Sequence, residues 1–132
     1  MSKAKTRIVI DDIMPYLKFI RRKKQEYFVC LSLDSDGQLI KRRVVTIGLL
    51  NASLVHPREV FAGPLKDRAA AIVIAHNHPS GQAKPSSEDI KTTQQLAAAG
   101  QILGIPLYDH VIVAADEHYS FRHRGLLARP QV

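Results

Sequence analysis

The stretch AAAIVIAHNHPSGQAKPSSED, residues 69–89, joins an apolar run to a polar segment that contains two histidines. The apolar run ends at His76 and is rich in β-branched residues, which predicts a central strand buried on both faces. The Pro-Ser-Gly sequence after the second histidine predicts a turn. A helix is predicted to begin near Ser86, because Ser86 and Asp89 have the spacing of a capping box.

The residues before this stretch predict a helix followed by a β-hairpin. Residues 11–24 carry apolar residues at helical spacing, and Pro15 is tolerated there because it lies in the first turn. Residues 26–33 and 39–50 are rich in strand formers. They flank an Asp-Gly pair, which is typical of hairpin turns. We therefore expect two antiparallel strands after the first helix.

The remaining elements alternate between helix and strand. Gly63 and Pro64 should bend one helix after about two turns, and Gly100 or Gly104 should end the next helix. These elements are a helix over residues 56–68, a helix over residues 86–104, and strands over residues 107–114 and 119–122. Together with the hairpin, they predict a fold of the α/β (α+β) class with a mixed sheet.

Length and composition favour one globular domain over residues 1–132. Apolar residues make up 45% of the 132 residues, enough for a hydrophobic core. No apolar run approaches the roughly 18 residues that cross a bilayer, and the N-terminal apolar run is too short for a signal peptide. We therefore expect a cytoplasmic protein with no membrane contact. The single cysteine, Cys30, lies in an apolar run and is expected to be buried and inert.

The charge of the chain is strongly basic, with a formal net charge of +7. A basic surface can bind nucleic acid by releasing counterions, so non-specific DNA is a candidate partner. The alternative is an ordinary solvated surface, since the few aromatic residues are not interleaved with the charges. The basic residues cluster at 3–7, 21–24, 41–43 and 122–124.

His76 and His78 form a candidate metal site with Asp89. Residues two apart on a strand face the same side, about 6.6 Å apart along an extended chain, so both imidazoles can reach one ion. Two histidines and one carboxylate leave a fourth position open, as in catalytic rather than structural zinc sites. The alternative is that Ser86 and Asp89 only cap a helix and that the histidines are polar residues at a strand end.

The spacing of these residues resembles that of a known metalloenzyme motif. From His76 the sequence has His-x-His, seven residues, Ser86, two residues and Asp89. This pattern resembles the motif of the JAMM metalloenzymes. More narrowly, the segments ASLVHPREVF, AHNHPSG, PSSEDI and DHVIV with YSFRHRGLL are similar to the RadC family, from about residue 26 to residue 127.

This resemblance implies a JAMM/MPN-like domain, with a curved mixed sheet flanked by helices in a cytidine-deaminase-like architecture. It implies a zinc ion held by His76, His78 and Asp89. Members of the RadC family commonly carry a further N-terminal region of helix-hairpin-helix type. We expect the present chain to lack such a region.

The resemblance also calls for a glutamate on an early strand. Glu26 fits, because it opens the first strand segment and is the only acidic residue between Asp12 and Asp34. Glu59 is a rival, but a place in a first helical turn would already explain it. The pair formed by Asp109 and its neighbour His110 is expected either to orient a zinc ligand or to anchor a strand.

The sequence therefore predicts a zinc-dependent hydrolase that cleaves a peptide or isopeptide bond of a peptide or protein substrate. In this hypothesis Glu26 is the general base for a water activated by the metal. Ser86 donates a hydrogen bond to the developing oxyanion. The alternative function is a basic, DNA-repair-associated module that binds nucleic acid and has a structural or vestigial metal site. The oligomeric state is not predicted.

Overall fold

A five-stranded mixed sheet forms the centre of the computed structural model, which describes residues 10–48 and 55–127. The fold therefore belongs to the predicted mixed α/β class. The elements, in chain order, are α1 (Ile10–Ile13), a 3₁₀ helix (Met14–Ile20), β1 (Tyr27–Leu33), β2 (Leu39–Ile47), α2 (Pro57–Asp67), β3 (Ala71–Asn77), α3 (Ser87–Leu103), β4 (Leu107–Val113) and β5 (His118–Ser120).

The strand order β2-β1-β3-β4-β5 explains why the sheet is mixed. β1 is antiparallel to both β2 and β3, whereas β3 and β4 are parallel because α3 carries the chain back between them. β5 returns antiparallel to β4. The predicted hairpin between β1 and β2 is confirmed, and Asp34 Oδ1 accepts the backbone N–H groups of Asp36 and Gln38 in its turn, both at 2.9 Å. β3 is a central strand, as predicted, and β3 and β4 end at the same edge of the sheet.

The two faces of the sheet bury different sets of residues, because side chains alternate along each strand. On one face, α2 and α3 cover Ile72 and Ile74 of β3. On the other face, α1 and the 3₁₀ helix cover Val73 and Ala75. By this alternation, His76 lies on the same face as Ile72 and Ile74, and Asn77 lies on the same face as Val73 and Ala75. The two site histidines are therefore expected on the face covered by α2 and α3.

The predicted first helix, residues 11–24, is wrong in type and length. Its α-helical part ends at Ile13, a 3₁₀ helix follows, and regular structure ends at Ile20. Pro15 explains the change, because proline has no N–H and its ring clashes with the carbonyl four residues earlier in an α-helix. The basic residues after Ile20 therefore lie in a connection to β1.

The predicted bend in the second helix is also wrong. α2 runs without interruption from Pro57 to Asp67, with Pro64 inside it. Packing explains why the helix tolerates this proline, since Val60, Phe61 and Pro64 are all buried against the sheet. Burial of these side chains outweighs the one backbone hydrogen bond that a proline removes.

The other predicted elements agree with the structure to within a few residues. α3 begins after its cap Ser86 and ends at Gly104, which has the positive φ of 75° common at helix C-termini. β2 ends at Ile47, and residues 49–50 of its predicted range lie outside the described residues, as does the basic cluster at 3–7. Within the described ranges no helix is long and apolar enough to cross a membrane.

Candidate metal centre

Two histidines meet at the C-terminal end of β3. His76 is the penultimate residue of β3, and His78 follows the strand directly. Their Nε2 atoms lie 3.1 Å apart. His76 is buried and its ring stacks on Phe28, its partner in β1, at a centroid distance of 5.9 Å. The side chain of His78 is 16% exposed, so the pair opens to solvent on the His78 side.

Asp89, in the first turn of α3, completes the cluster. Its Oδ1 lies 3.2 Å from His76 Nε2, and its Oδ2 lies 3.2 Å from His78 Nε2. Ligand atoms of the three residues all lie within 4.8 Å of one another. Burial disfavours the charged form of Asp89, but its contacts with His76 and His78 hold its pKa well below the ordinary range. The residue is therefore an ionised carboxylate at neutral pH.

Asp89 also caps α3, so the predicted capping box is confirmed, and the same carboxylate lies beside the two histidines. Its backbone N–H donates to Ser86 Oγ at 3.0 Å, and its Oδ2 accepts from the Ser86 N–H at 2.9 Å. A carboxylate has enough lone pairs to accept a backbone hydrogen bond and to face a cation at once. The capping box fixes the orientation of the carboxylate toward the histidines.

Two buried residues, Thr93 and His110, determine which ring nitrogen of His76 carries a proton. Thr93 Oγ1 donates its only hydrogen to Asp89 O at 2.7 Å, so it must accept from His110 Nδ1, 2.5 Å away. Burial lowers the pKa of His110 well below its ordinary value, so this ring is neutral and its Nε2 has a free lone pair. His76 Nδ1, 2.8 Å away, must donate to that lone pair. In the neutral ring, His76 Nε2 therefore presents a lone pair to Asp89.

His78 also carries its proton on Nδ1, for a simpler reason. Its Nδ1 lies 2.9 Å from the carbonyl oxygen of Gln82, which can only accept, so Nδ1 carries the proton. Burial opposes the charged form, but the contact with Asp89, the hydrogen bond to Gln82 and the charge of Glu26 together outweigh it and raise the pKa of His78. Two neutral imidazoles would direct lone pairs at each other and at a carboxylate. The donor set thus fits a cation, and nitrogen and carboxylate ligands of this number suit zinc.

Glu26 lies immediately before β1, on the face of the sheet that carries the histidines. Phe28 pairs with His76, and Glu26 lies two residues before Phe28, so both side chains lie on the same face of the strand. Glu26 is half-buried, and its carbonyl accepts the Gly48 N–H at 2.8 Å. Burial raises the pKa of Glu26, and the nearby His76 and His78 oppose the shift. The carboxyl group is thus within electrostatic range of the three candidate ligands.

The structure separates the other candidate residues from the site or gives them supporting roles. Glu59 is exposed in the first turn of α2, 3.8 Å from Arg58. Asp109 anchors the chain around β5, accepting from Ser120 Oγ at 2.5 Å and from the Arg122 N–H at 3.0 Å. Only His110 of that pair contacts a candidate ligand. Burial raises the pKa of the Cys30 thiol to about 12, as expected for an inert cysteine.

Two residues next to the site were missed by reasoning from the sequence. Thr93 lies four residues after Asp89, and this helical spacing could have indicated a residue on the same helix face. Asn77 lies between the two histidines, and strand alternation could have placed it on the opposite face of the sheet. Its side chain is fully buried there and accepts the Tyr27 N–H at 2.7 Å.

The basic clusters are partly engaged within the protein. Arg42 lies over the Phe19 ring at 4.4 Å, on the face of the 3₁₀ helix. Its neighbour Arg43 instead pairs with Asp67 of α2, on the other face. Arg21 donates to the carbonyl of Ala114 at 2.7 Å. The cluster at 41–43 is therefore divided between two faces of the sheet.

Comparison with known proteins agrees with this architecture. A model of the family described as the RadC-like JAB domain matches residues 9–126. The chain is 54% identical to a UPF0758 protein of Methanospirillum hungatei over 105 residues, which are 80% of this chain and 47% of that protein. It is 50% identical to a UPF0758 protein of Bacillus licheniformis over 103 residues, or 78% of this chain and 46% of that protein.

A UPF0758 protein of Listeria monocytogenes is 48% identical over 113 residues, which cover 86% of the chain and 49% of that relative. The chain thus spans about half the length of these curated relatives. The name UPF0758 states no enzymatic activity.

Proposed function

The chain belongs to the family of RadC-like JAB domains, and from this premise we propose that it is a zinc-dependent hydrolase of peptide or isopeptide bonds. The observation that carries the proposal is the convergence of His76, His78 and Asp89, whose ligand atoms all lie within 4.8 Å of one another, with Nε2 of each histidine 3.2 Å from an oxygen of Asp89. Some members of the wider JAB family are metalloproteases, which supports the reaction class.

His76, His78 and Asp89 would hold the metal ion, with three protein ligands and an open side at the partly exposed His78. When bound, zinc would supply Lewis-acid activation of a water molecule and of the substrate carbonyl. The pair of Thr93 and His110 keeps His76 in the tautomer that can ligate. Such supporting hydrogen bonds orient metal ligands in many sites.

Glu26 is the proposed general base. It accepts a proton from the attacking water and passes it to the leaving amine. Partial burial raises the pKa of Glu26, which makes the carboxylate a stronger base than an exposed glutamate. Its electrostatic contact with His76, His78 and Asp89 supports this role.

Ser86 is the proposed oxyanion donor. Its Oγ accepts the Asp89 N–H as a helix cap, which uses a lone pair but not the hydroxyl hydrogen. That hydrogen can therefore donate to the negative oxygen that develops on the substrate carbonyl. The residue is exposed and adjoins Oδ2 of Asp89 through its own N–H, so it lies at the rim of the site.

The proposal is tested by Glu26→Gln, which keeps size and hydrogen bonding but cannot accept the proton. Zinc content and fold should survive, while hydrolysis of a peptide library should fall by roughly 10²-fold or more. Asp89→Asn should instead weaken zinc binding, because it removes a charged ligand. Zinc content by elemental analysis and chelator-sensitive cleavage by mass spectrometry measure the two effects.

Glu59→Gln is the matched control, since it makes the same change at an exposed glutamate outside the site. It should leave both zinc content and hydrolysis unchanged. Full activity of Glu26→Gln, or cleavage that survives complete removal of zinc, would contradict the proposed mechanism.

A further inference from the structure

Asn77 lies between the two histidines in sequence but faces the other side of the sheet. Its side chain is 0% exposed, on the face that the 3₁₀ helix and its C-terminal connection cover. A buried amide is costly unless its donors and acceptor are satisfied, so its partners carry information about its role.

Within the described residues, the partners of the Asn77 amide lie in the connection that carries Glu26 and at the first residue of β1. Its Oδ1 accepts the Tyr27 N–H at 2.7 Å, and its Nδ2 donates to the carbonyls of Lys23 and Gln25 at 3.2 and 3.0 Å. An N–H group can only donate and a carbonyl can only accept. These partners therefore fix the amide orientation and use both amide hydrogens.

The connection between the 3₁₀ helix and β1 has no regular structure of its own. Strand pairing with β3 begins only at Phe28, opposite His76. At the preceding position, the side chain of Asn77 takes the place of a backbone partner for Tyr27. Glu26 thus lies between two backbone groups, Gln25 O and Tyr27 N, that the same side chain binds.

We propose that Asn77 is a positioning residue that holds the backbone of Glu26 at a fixed place relative to the metal ligands. The inference rests on the proposed function for the role of Glu26 as base. One strand then defines both halves of the site, because β3 carries His76 on one face and the anchor of Glu26 on the other.

The test measures the distance of Glu26 from the ion rather than activity. The chain has four glutamates, Glu26, Glu59, Glu88 and Glu117, so glutamate labelled with ¹³C at the side-chain carboxyl gives four signals. Cobalt(II) replaces zinc as a paramagnetic probe whose line broadening falls steeply with distance. In the wild-type protein, the Glu26 signal should broaden strongly and that of Glu59 weakly.

In Asn77→Ala, broadening of the Glu26 signal should fall several-fold while cobalt remains bound. Asn77→Asp is a second variant in case the first does not fold. It still accepts the Tyr27 N–H but turns an oxygen toward the Lys23 and Gln25 carbonyls, and it should reduce the broadening too. Val73→Ala is the control, because it removes buried volume from the same strand and face, and the valine side chain has no polar atom that could bind the backbone of residues 23–27.

The outcomes separate the inference from the proposed function. Unchanged broadening in both Asn77 variants, or loss of cobalt from them, would overturn the role of Asn77. Neither result would contradict the proposed ligands His76, His78 and Asp89. The same loss of broadening in Val73→Ala would reduce that role to general stability. Weak broadening of Glu26 in the wild-type protein would instead overturn Glu26 as the base.

Discussion

Individual side chains at this site serve two purposes through different atoms. Asp89 accepts the Ser86 N–H and faces both histidines. His76 uses Nδ1 to bind His110 and leaves Nε2 for the candidate ligand cluster. Because each second contact fixes the angle of a ring or carboxylate, the three residues have an arrangement that could hold a metal ion without rearrangement. Such preorganisation lowers the cost of ordering the ligands.

Zinc stoichiometry tests this arrangement at the residue level. The purified protein should contain about one zinc per chain, because three convergent ligands suffice for tight binding. His78→Ala should lose most of the zinc, as measured by elemental analysis after dialysis. His123→Ala removes an exposed histidine and should retain it. Full zinc retention in His78→Ala would refute the assignment of the site.

At the level of elements, α2 is tied to the sheet by an ion pair that its continuous helical course makes possible. Arg43 of β2 forms two hydrogen bonds to Asp67 in the last turn of α2, and its Nη2–Oδ1 distance is 2.8 Å. The Arg43 side chain passes Gly63 so closely that a Cβ there would lie 2.5 Å from it. Glycine at this position therefore serves helix–sheet packing rather than a bend.

Loss of this ion pair should make stability less sensitive to acid. The hydrogen bond from Arg43 lowers the pKa of Asp67 from its ordinary value of 3.8 to about 2. A lowered carboxyl pKa adds stability above the unfolded-state pKa, and that stability is lost as pH falls through the folded-state pKa. Asp67→Asn should thus destabilise the protein by about 2 kcal/mol near neutral pH. The difference should shrink between about pH 4 and pH 2.

Urea unfolding at several pH values measures the free energy of unfolding for this comparison. Asp116→Asn is the control, because Asp116 pairs with Arg22 at 3.4 Å with both side chains largely exposed. Exposed pairs contribute little, so this variant should match the wild type at every pH. A constant difference between Asp67→Asn and wild type across the whole range would contradict the ion-pair explanation.

At the scale of the whole molecule, the chain has a net charge of +7, and some of its basic side chains contact other parts of the protein while others are exposed to solvent. Arg42 and Arg43 face opposite sides of the sheet, and Arg21 binds the turn after β4. Lys23 lies 5.6 Å from the Tyr27 ring, and Lys24 beside it is exposed. DNA binding therefore stays a prediction, and the exposed lysines of the 21–24 cluster are the residues to test.

If the domain binds DNA, its affinity should fall steeply with added salt and vary little with sequence, because phosphate contacts release counterions. Charge reversal at Lys23 and Lys24 should weaken binding to all sequences alike, as measured by fluorescence anisotropy. Reversal at Lys66 and Lys91, exposed on α2 and α3, makes the same change in net charge and should have a smaller effect. Absence of binding at low salt would remove the hypothesis.

Local patterns were enough to predict several parts of this protein. The apolar run before His76 predicted a central strand, the Asp-Gly pair predicted the β1–β2 hairpin, and Ser86 with Asp89 predicted the start of α3. These features depend on neighbours within a few residues, which is why the sequence alone determines them. The spacing of His76, His78 and Asp89 is likewise visible within one short segment, residues 76–89.

Only the tertiary structure decided the features that depend on residues far apart in the chain. Pro64 remains inside a helix because the sheet buries its face, whereas Pro15 ends the α-helical part of its segment. Glu26 comes near His76 and His78 because Phe28 pairs with His76, and Asn77 binds residues about 50 positions earlier. Strand register and packing set these contacts, and both arise from the summed burial of many side chains, which no short segment encodes.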